Sequence, residues 1–273
     1  MGNLEQDAAA RPALLLTPHR RADTLSFMRR LRMTVRYDGT AYHGWQEQPG
    51  LPTVQGVLAD TLASILGHRP AVDGAGRTDA GVHALGQVAA LLTEHPIEPA
   101  RLEAALNSRL PADVAVADLA EAPPDFHPTR DAAVKHYRYR LWRSEAKPVF
   151  AARYVWHWYR PLQVGPMQEA ARRLVGTHDF RSLESRGTRR ETSTRTLFRV
   201  DVAEAEAPEV HVDVEGDGFL YRMVRNLVGT LVEVGRGHRP PAWVDEVLAA
   251  RDRTAAGPCA PPQGLCLMAV RYE

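Results

Sequence analysis

The chain of 273 residues contains only two cysteines, Cys259 and Cys266. With no Cys-x-x-Cys or His-Glu-x-x-His spacing to supply further ligands, they cannot build a structural zinc site. They read as reduced interior residues rather than as a disulfide. No apolar run approaches the roughly 20 residues that a membrane span needs. Ala13 to Leu16 is too short for a signal-peptide core, and arginines follow it closely. A cytoplasmic protein with no membrane partner is therefore expected. Walker loops and dinucleotide fingerprints are absent as well, so no nucleotide cofactor is anticipated. The chain also lacks an excess of either charge. Its formal net charge is +1, so a polyanion would have to be held by local patches. Lysine is scarce: of the 34 basic residues only Lys135 and Lys147 are lysines. Arginine suits phosphate and base recognition, but a genome of biased base composition gives the same skew, and we attach no functional weight to it.

What remains is length and regular patterning. A chain of this size can bury a sizeable core, as one large domain or two small ones. Residues 1–30 lack sustained periodicity. They form a disordered basic extension, a solvated leader, or sequence upstream of a true start at Met28. From Leu31 onward, strands are expected at residues 32–38, 70–74, 83–92 and 113–119, with helices at 54–66 and 99–109. This is a β-α-β-β-α-β order, the ferredoxin-like arrangement. The order recurs with strands at 134–143, 196–202, 209–214 and 265–271 and helices at 166–175 and 219–234, plus an added helix at 242–250. The expected class is α/β (α+β), with two ferredoxin-like halves around a central cleft, a common place for a substrate. The proline-rich stretch 122–128 separates a half at 31–127 from a half at 128–273.

The most informative segment is Gly76-Arg77-Thr78-Asp79-Ala80-Gly81-Val82-His83-Ala84. Its glycines permit a tight turn and close approach by a ligand. Asp79 is then displayed at a loop tip with Arg77 nearby, an arrangement for offering one carboxylate to a bulky partner. The plainer alternative is a turn whose Asp bonds its own backbone.

Other strings accompany it in a fixed order. They are Tyr37-Asp38-Gly39-Thr40-Ala41-Tyr42-His43-Gly44-Trp45-Gln46, Thr53-Val54-Gln55-Gly56, Leu106-Asn107-Ser108, Leu110-Pro111-Ala112-Asp113, His178-Asp179-Phe180, Met223-Val224-Arg225-Asn226 and Gly264-Leu265. Together they resemble the bacterial tRNA pseudouridine synthase A family over residues 31–273. Several motifs in one order are far more specific than any one alone. The resemblance implies the pseudouridine synthase fold and isomerisation of uridine at positions 38, 39 and 40 of the tRNA anticodon stem-loop. It also implies a homodimer whose subunits share one tRNA, and no cofactor or metal.

By the same resemblance, the catalytic residues are Asp79 as nucleophile, Tyr137 for base stacking and proton transfer, and Arg225 as the ion-pair partner of Asp79. In strand alternation Tyr137 and Tyr139 share one face and Arg138 and Arg140 the other. Tyr137 could instead be an ordinary core tyrosine. Arg225 falls on a helix opened by Asp217 as N-cap, off the apolar stripe Phe219, Met223, Leu227 and Leu231, so it need not be buried. Read without the resemblance, it would be a solvated arginine. Arg77 is a substrate-binding candidate: it could prop the space left by an everted uridine, clamp a phosphate, or pair with Asp79. Residues 130–143 hold five basic residues against one acidic, and residues 181–199 hold six arginines against two glutamates. Both stretches suit an RNA backbone, with Arg189 and Arg190 as substrate-binding candidates.

The chain departs from the family pattern in three places. Thr129 stands where the family has arginine, with Arg130 one step later, and in a strand that shift would turn the charge to the opposite face unless a bulge restored it. Cys259 and Cys266 replace threonine and tyrosine. Two rival readings are an RNA-binding protein of the same fold without catalysis, and a hydrolase using a carboxylate pair. Intact Asp79, Tyr137 and Arg225 weigh against the first, and the lack of a second motif-placed carboxylate against the second.

Overall fold

The computed structural model describes residues 28–185 and 192–273. In the first half, β1 (Arg29–Tyr37) pairs antiparallel with both β3 (His83–Thr93) and β4 (Val114–Ala122), and the short β2 (Val72–Gly74) pairs with the far end of β3. The strand order is thus β4-β1-β3-β2, with α1 (Val54–Leu66) and α2 (Pro99–Asn107) as the crossovers. The second half repeats the pattern. Its main strands are β5 (Ala132–Arg143), β8 (Thr194–Glu204), β9 (Glu209–Gly216) and β10 (Leu265–Tyr272), in the order β10-β5-β9-β8. Its helices are α3 (Val164–Arg172), α4 (Met223–Gly235) and α5 (Trp243–Ala250). Both halves therefore share one connectivity. They are stitched into one sheet by parallel pairing of β10 with β3, at Cys266 with His83 and Leu267 with Ala84. Because β2 covers only residues 89–91 of β3, the start of β3 is left open for β10.

Alternation decides which face is buried. Leu31, Met33 and Val35 on β1, Tyr139 and Leu141 on β5, and Val210, Val212 and Val214 on β9 are all buried. They form one cluster with Leu58, Leu62, Leu102, Leu106, Met167, Leu227 and Leu231 of the helices. Burial of each such side chain stabilises the fold by about 1.5–3 kcal/mol. The other face is charged: Arg138 bonds Asp213 at 3.0 Å and Arg140 bonds Glu209 at 2.6 Å. Tyr137 and Tyr139 do share the inner face, as the alternation predicts.

Several expected boundaries move. β1 takes in Arg29 and Arg30, so the extension assigned to residues 1–30 is two residues shorter; residues 1–27 lie outside the described part. Two short strands, β6 (Trp156–Trp158) and β7 (Gly176–Asp179), were not anticipated. The helix expected at 219–234 begins only at Met223, and Asp217 does not cap it. Arg222 opens it at φ 58° in the left-handed region, while the Asp217 carboxylate accepts from the Thr196 amide at 3.0 Å. Residues 128–130 lie in a turn rather than a strand, so the argument from alternation does not apply to Thr129 and Arg130. Thr129 donates its hydroxyl to the Gly74 carbonyl at 2.7 Å, and Arg130 pairs with Asp131 at 2.7 Å. Cys259 and Cys266 are free and partly buried.

Candidate active site

The segment containing Asp79 connects β2 to β3 and is held by backbone bonds on both sides. The Trp45 amide donates to the Thr78 carbonyl at 3.1 Å, the Gly81 amide to the Tyr42 carbonyl at 3.3 Å, and the Val82 amide to the Asp79 carbonyl at 3.1 Å. This closeness depends on Gly44, which sits at φ +92°; a Cβ there would lie 2.5 Å from the Thr78 carbonyl oxygen. Upstream, fully buried Gln87 donates to the Gly76 carbonyl at 2.8 Å. Asp79 is thus a carboxylate on a fixed turn, not one bonding its own backbone.

Its partner comes from the other half. Arg225 NH1 donates to Asp79 Oδ2 at 2.9 Å, with side chains 11% and 19% exposed. Arg225 Nε donates to the Ala260 carbonyl at 2.8 Å, and the Ala260 amide returns a bond to the Arg225 carbonyl at 3.1 Å. The segment before Ala260 presses on α4 at Gly229, where a Cβ would meet the Pro258 carbonyl oxygen at 1.7 Å. The guanidinium is therefore clamped to the chain on one side and to the carboxylate on the other. The expectation that Arg225 need not be buried is corrected here. α4 is covered nearly all round, with twelve of its residues buried, so leaving the apolar stripe does not bring a side chain into solvent.

Tyr137, on β5, packs edge-on against Phe219 with ring centroids 5.1 Å apart. Burial, then the neighbouring Tyr37 phenol and the Asp79 carboxylate, push the Tyr137 hydroxyl well above the ordinary phenol range. It therefore stays protonated at physiological pH. Tyr139 is fully buried and donates to the Pro261 carbonyl at 2.8 Å, a packing role. Arg77 is exposed, and since Asp79 is paired with Arg225, the Arg77–Asp79 ion pair left open by the sequence is not formed. Arg189 and Arg190 lie outside the described residues. A cavity of about 680 Å³ lies elsewhere, against Arg138, Arg140, Cys266 and Met268, and none of Asp79, Tyr137 and Arg225 lines it. Burial pushes the Cys266 thiol on its wall up to about 11.

The sequence reading missed Tyr37 and Thr78, whose hydroxyls meet at 2.8 Å, Thr78 being the residue before Asp79. The available signal was a polar-tipped residue at the last inward position of the first strand.

Comparison with known proteins identifies the family of the chain. The model of the tRNA pseudouridine synthase family matches residues 33–129 and 170–273. The chain is 47% identical over 242 residues to a tRNA pseudouridine synthase A from Syntrophotalea carbinolica, covering 89% of this chain and 96% of that protein. A tRNA pseudouridine synthase A from Myxococcus xanthus is 44% identical over 246 residues, covering 90% and 93%. One from Geobacillus kaustophilus is also 44% identical over 246 residues, covering 89% and 95%. Among solved structures, a chain from the crystal structure of a Cbf5-Nop10-Gar1 complex aligns with 74% of this chain and 45% of that one, at 16% identity and a TM-score of 0.33, a likeness too distant to build on. The chain belongs to the tRNA pseudouridine synthase family, isomerases that act on uridine in tRNA.

Proposed function

We propose that this isomerase converts uridine to pseudouridine at positions 38, 39 and 40 of the tRNA anticodon stem-loop, working as a cytoplasmic homodimer. The reaction breaks the N-glycosidic bond, turns the base and rejoins it through C5, so reactant and product have the same composition and no redox partner is consumed. Asp79 is the ionised carboxylate that acts on the ribose or base. Arg225 supplies the counter-charge that keeps it competent inside an enclosed site, and the 2.9 Å contact between the two is the observation that carries the proposal. Tyr137 takes the uracil against its ring, a contact of about 1–3 kcal/mol per base, and its neutral hydroxyl relays the C5 proton, passing its own proton on to water as it receives that one. Arg77, exposed two residues before Asp79, holds the space or phosphate next to the everted nucleotide. Mapping pseudouridine in unmodified tRNA transcripts after incubation with the purified protein tests the reaction and its positions together; product at other positions alone would overturn the assignment to 38–40.

Tyr137→Phe separates stacking from proton transfer. The ring stays and the hydroxyl goes, so tRNA affinity should stay within about threefold while the single-turnover rate falls on the order of 10²-fold. An unchanged rate would reduce Tyr137 to a stacking surface.

Residues 181–199 are assigned to affinity rather than chemistry. Replacing Arg189 and Arg190 together with alanine should weaken tRNA binding and reduce the slope of log affinity against log salt by roughly one to two units, because fewer counterions are released. A slope equal to that of the parent would remove both arginines from the RNA backbone.

A further inference from the structure

We propose that Tyr37 and Thr78 form a positioning pair that sets the attack geometry of Asp79; the proposal rests on Asp79 being the nucleophile. Tyr37 closes β1 with its ring inside the core, and its hydroxyl meets Thr78 Oγ1 at 2.8 Å across 41 residues of sequence. Both residues are buried, at 4% and 7% exposure. The Tyr37 ring also lies against Trp45, with centroids 6.1 Å apart, and the Trp45 amide is the group that holds the Thr78 carbonyl at 3.1 Å. Two aromatic neighbours thus grip Thr78 at once, one by its side chain and one by its backbone.

Asp79 is the next residue. Pinning Thr78 at two atoms fixes the direction in which the chain enters Asp79, and the Asp79 carbonyl is tied in turn to the Val82 amide. Arg225 restrains only the far end of the carboxylate, through Oδ2. Without the grip on Thr78 the turn could shift while that ion pair persisted, and a displacement of about 1 Å at a reacting atom costs on the order of 10²-fold in rate. Simple filling of the core would not require two hydroxyls here, since phenylalanine and valine have nearly the same shape, and the Gln87 amide that also neighbours the Tyr37 hydroxyl keeps its bond to the Gly76 carbonyl. Burial pushes the Tyr37 phenol well above its usual range, so the pair is a neutral hydrogen bond, not an acid–base couple.

The test is a double-mutant cycle of Tyr37→Phe and Thr78→Val, with Thr78→Ser as the conservative control. Single-turnover rate at saturating tRNA, tRNA affinity and Tm are read for each. Each single variant should lose about 10- to 100-fold in rate with affinity within about threefold, and Thr78→Ser should stay within about threefold of the parent rate. The double variant leaves no unpaired buried hydroxyl, so its Tm should return toward the parent and it should fold even if a single variant does not. Its rate should remain low. Recovery of rate together with Tm in the double variant would show that the pair only satisfies buried polar groups. Parental rates in both single variants, or losses confined to affinity, would also overturn the proposal. Failure of the underlying reading is seen separately, as a fully active Asp79→Asn enzyme.

Discussion

Asp79→Asn should reduce pseudouridine formation to background while tRNA affinity stays within about threefold of the parent. The amide keeps the size of the carboxylate, and its oxygen can still accept from Arg225 NH1, now 2.9 Å away from Oδ2. It loses the negative charge and the nucleophilicity that the chemical step uses. Binding should be largely spared, because a carboxylate in an RNA site gives little attraction to a phosphate chain. The measurement is a pseudouridine assay on mass-verified Asp79→Asn protein, paired with a binding titration. Normal turnover would sink the assignment of the nucleophile. Lost turnover with collapsed binding would point instead to a structural role for the loop.

The second large effect is expected at Arg225. Methionine there leaves Asp79 in a mostly enclosed position with no counter-charge and leaves the Ala260 carbonyl without its donor. Removing one partner of a buried pair costs about 3–5 kcal/mol. With side chains 11% and 19% exposed, the lower end applies, which corresponds to a loss on the order of 10²-fold if it falls on the active geometry. Arg225→Lys should recover about tenfold of that loss, since an ammonium restores the charge but lacks the rigid fork that reaches Asp79 and Ala260 together. Rates for the parent, Lys and Met forms, read beside their Tm values, decide the matter. Equal rates for Lys and Met would show that charge at this position is irrelevant to the reaction.

Much of the fold was legible because local chemistry marks its boundaries. α1 was expected at residues 54–66 and spans Val54–Leu66: Thr53 caps its start by accepting from the Gly56 amide, and Gly67 ends it at φ 77°. The start of α4 was not legible for the opposite reason. A left-handed arginine is not an expected opening residue, and the apolar spacing of Phe219 and Met223 runs unbroken across the true boundary. Phe219 is apolar because it packs on Tyr137, not because it is helical. β6 and β7 have three and four residues, too few to show a period. Asp79, Tyr137 and Arg225 were assigned through the order of motifs; no pattern within the chain could announce that residues 146 positions apart touch. The Tyr37–Thr78 bond escaped notice for the same physical reason, since a contact between hydroxyls leaves no periodic trace.

The seam between β3 and β10 has a consequence for how the protein is made. The strand that joins the halves is made after every strand it brings together, although in the sheet it sits between β3 and β5. The first half can complete its own strand order long before, and β5, β9 and β8 can pair before β10 arrives. Until then the start of β3 and one side of β5 are open edges, the kind that pair with the wrong chain. The segment that receives the Arg225 Nε bond lies just ahead of that strand, at Ala260. Nascent chains therefore carry the loop of Asp79 and the helix of Arg225 in separate halves, and the two are locked together only once β10 is in place.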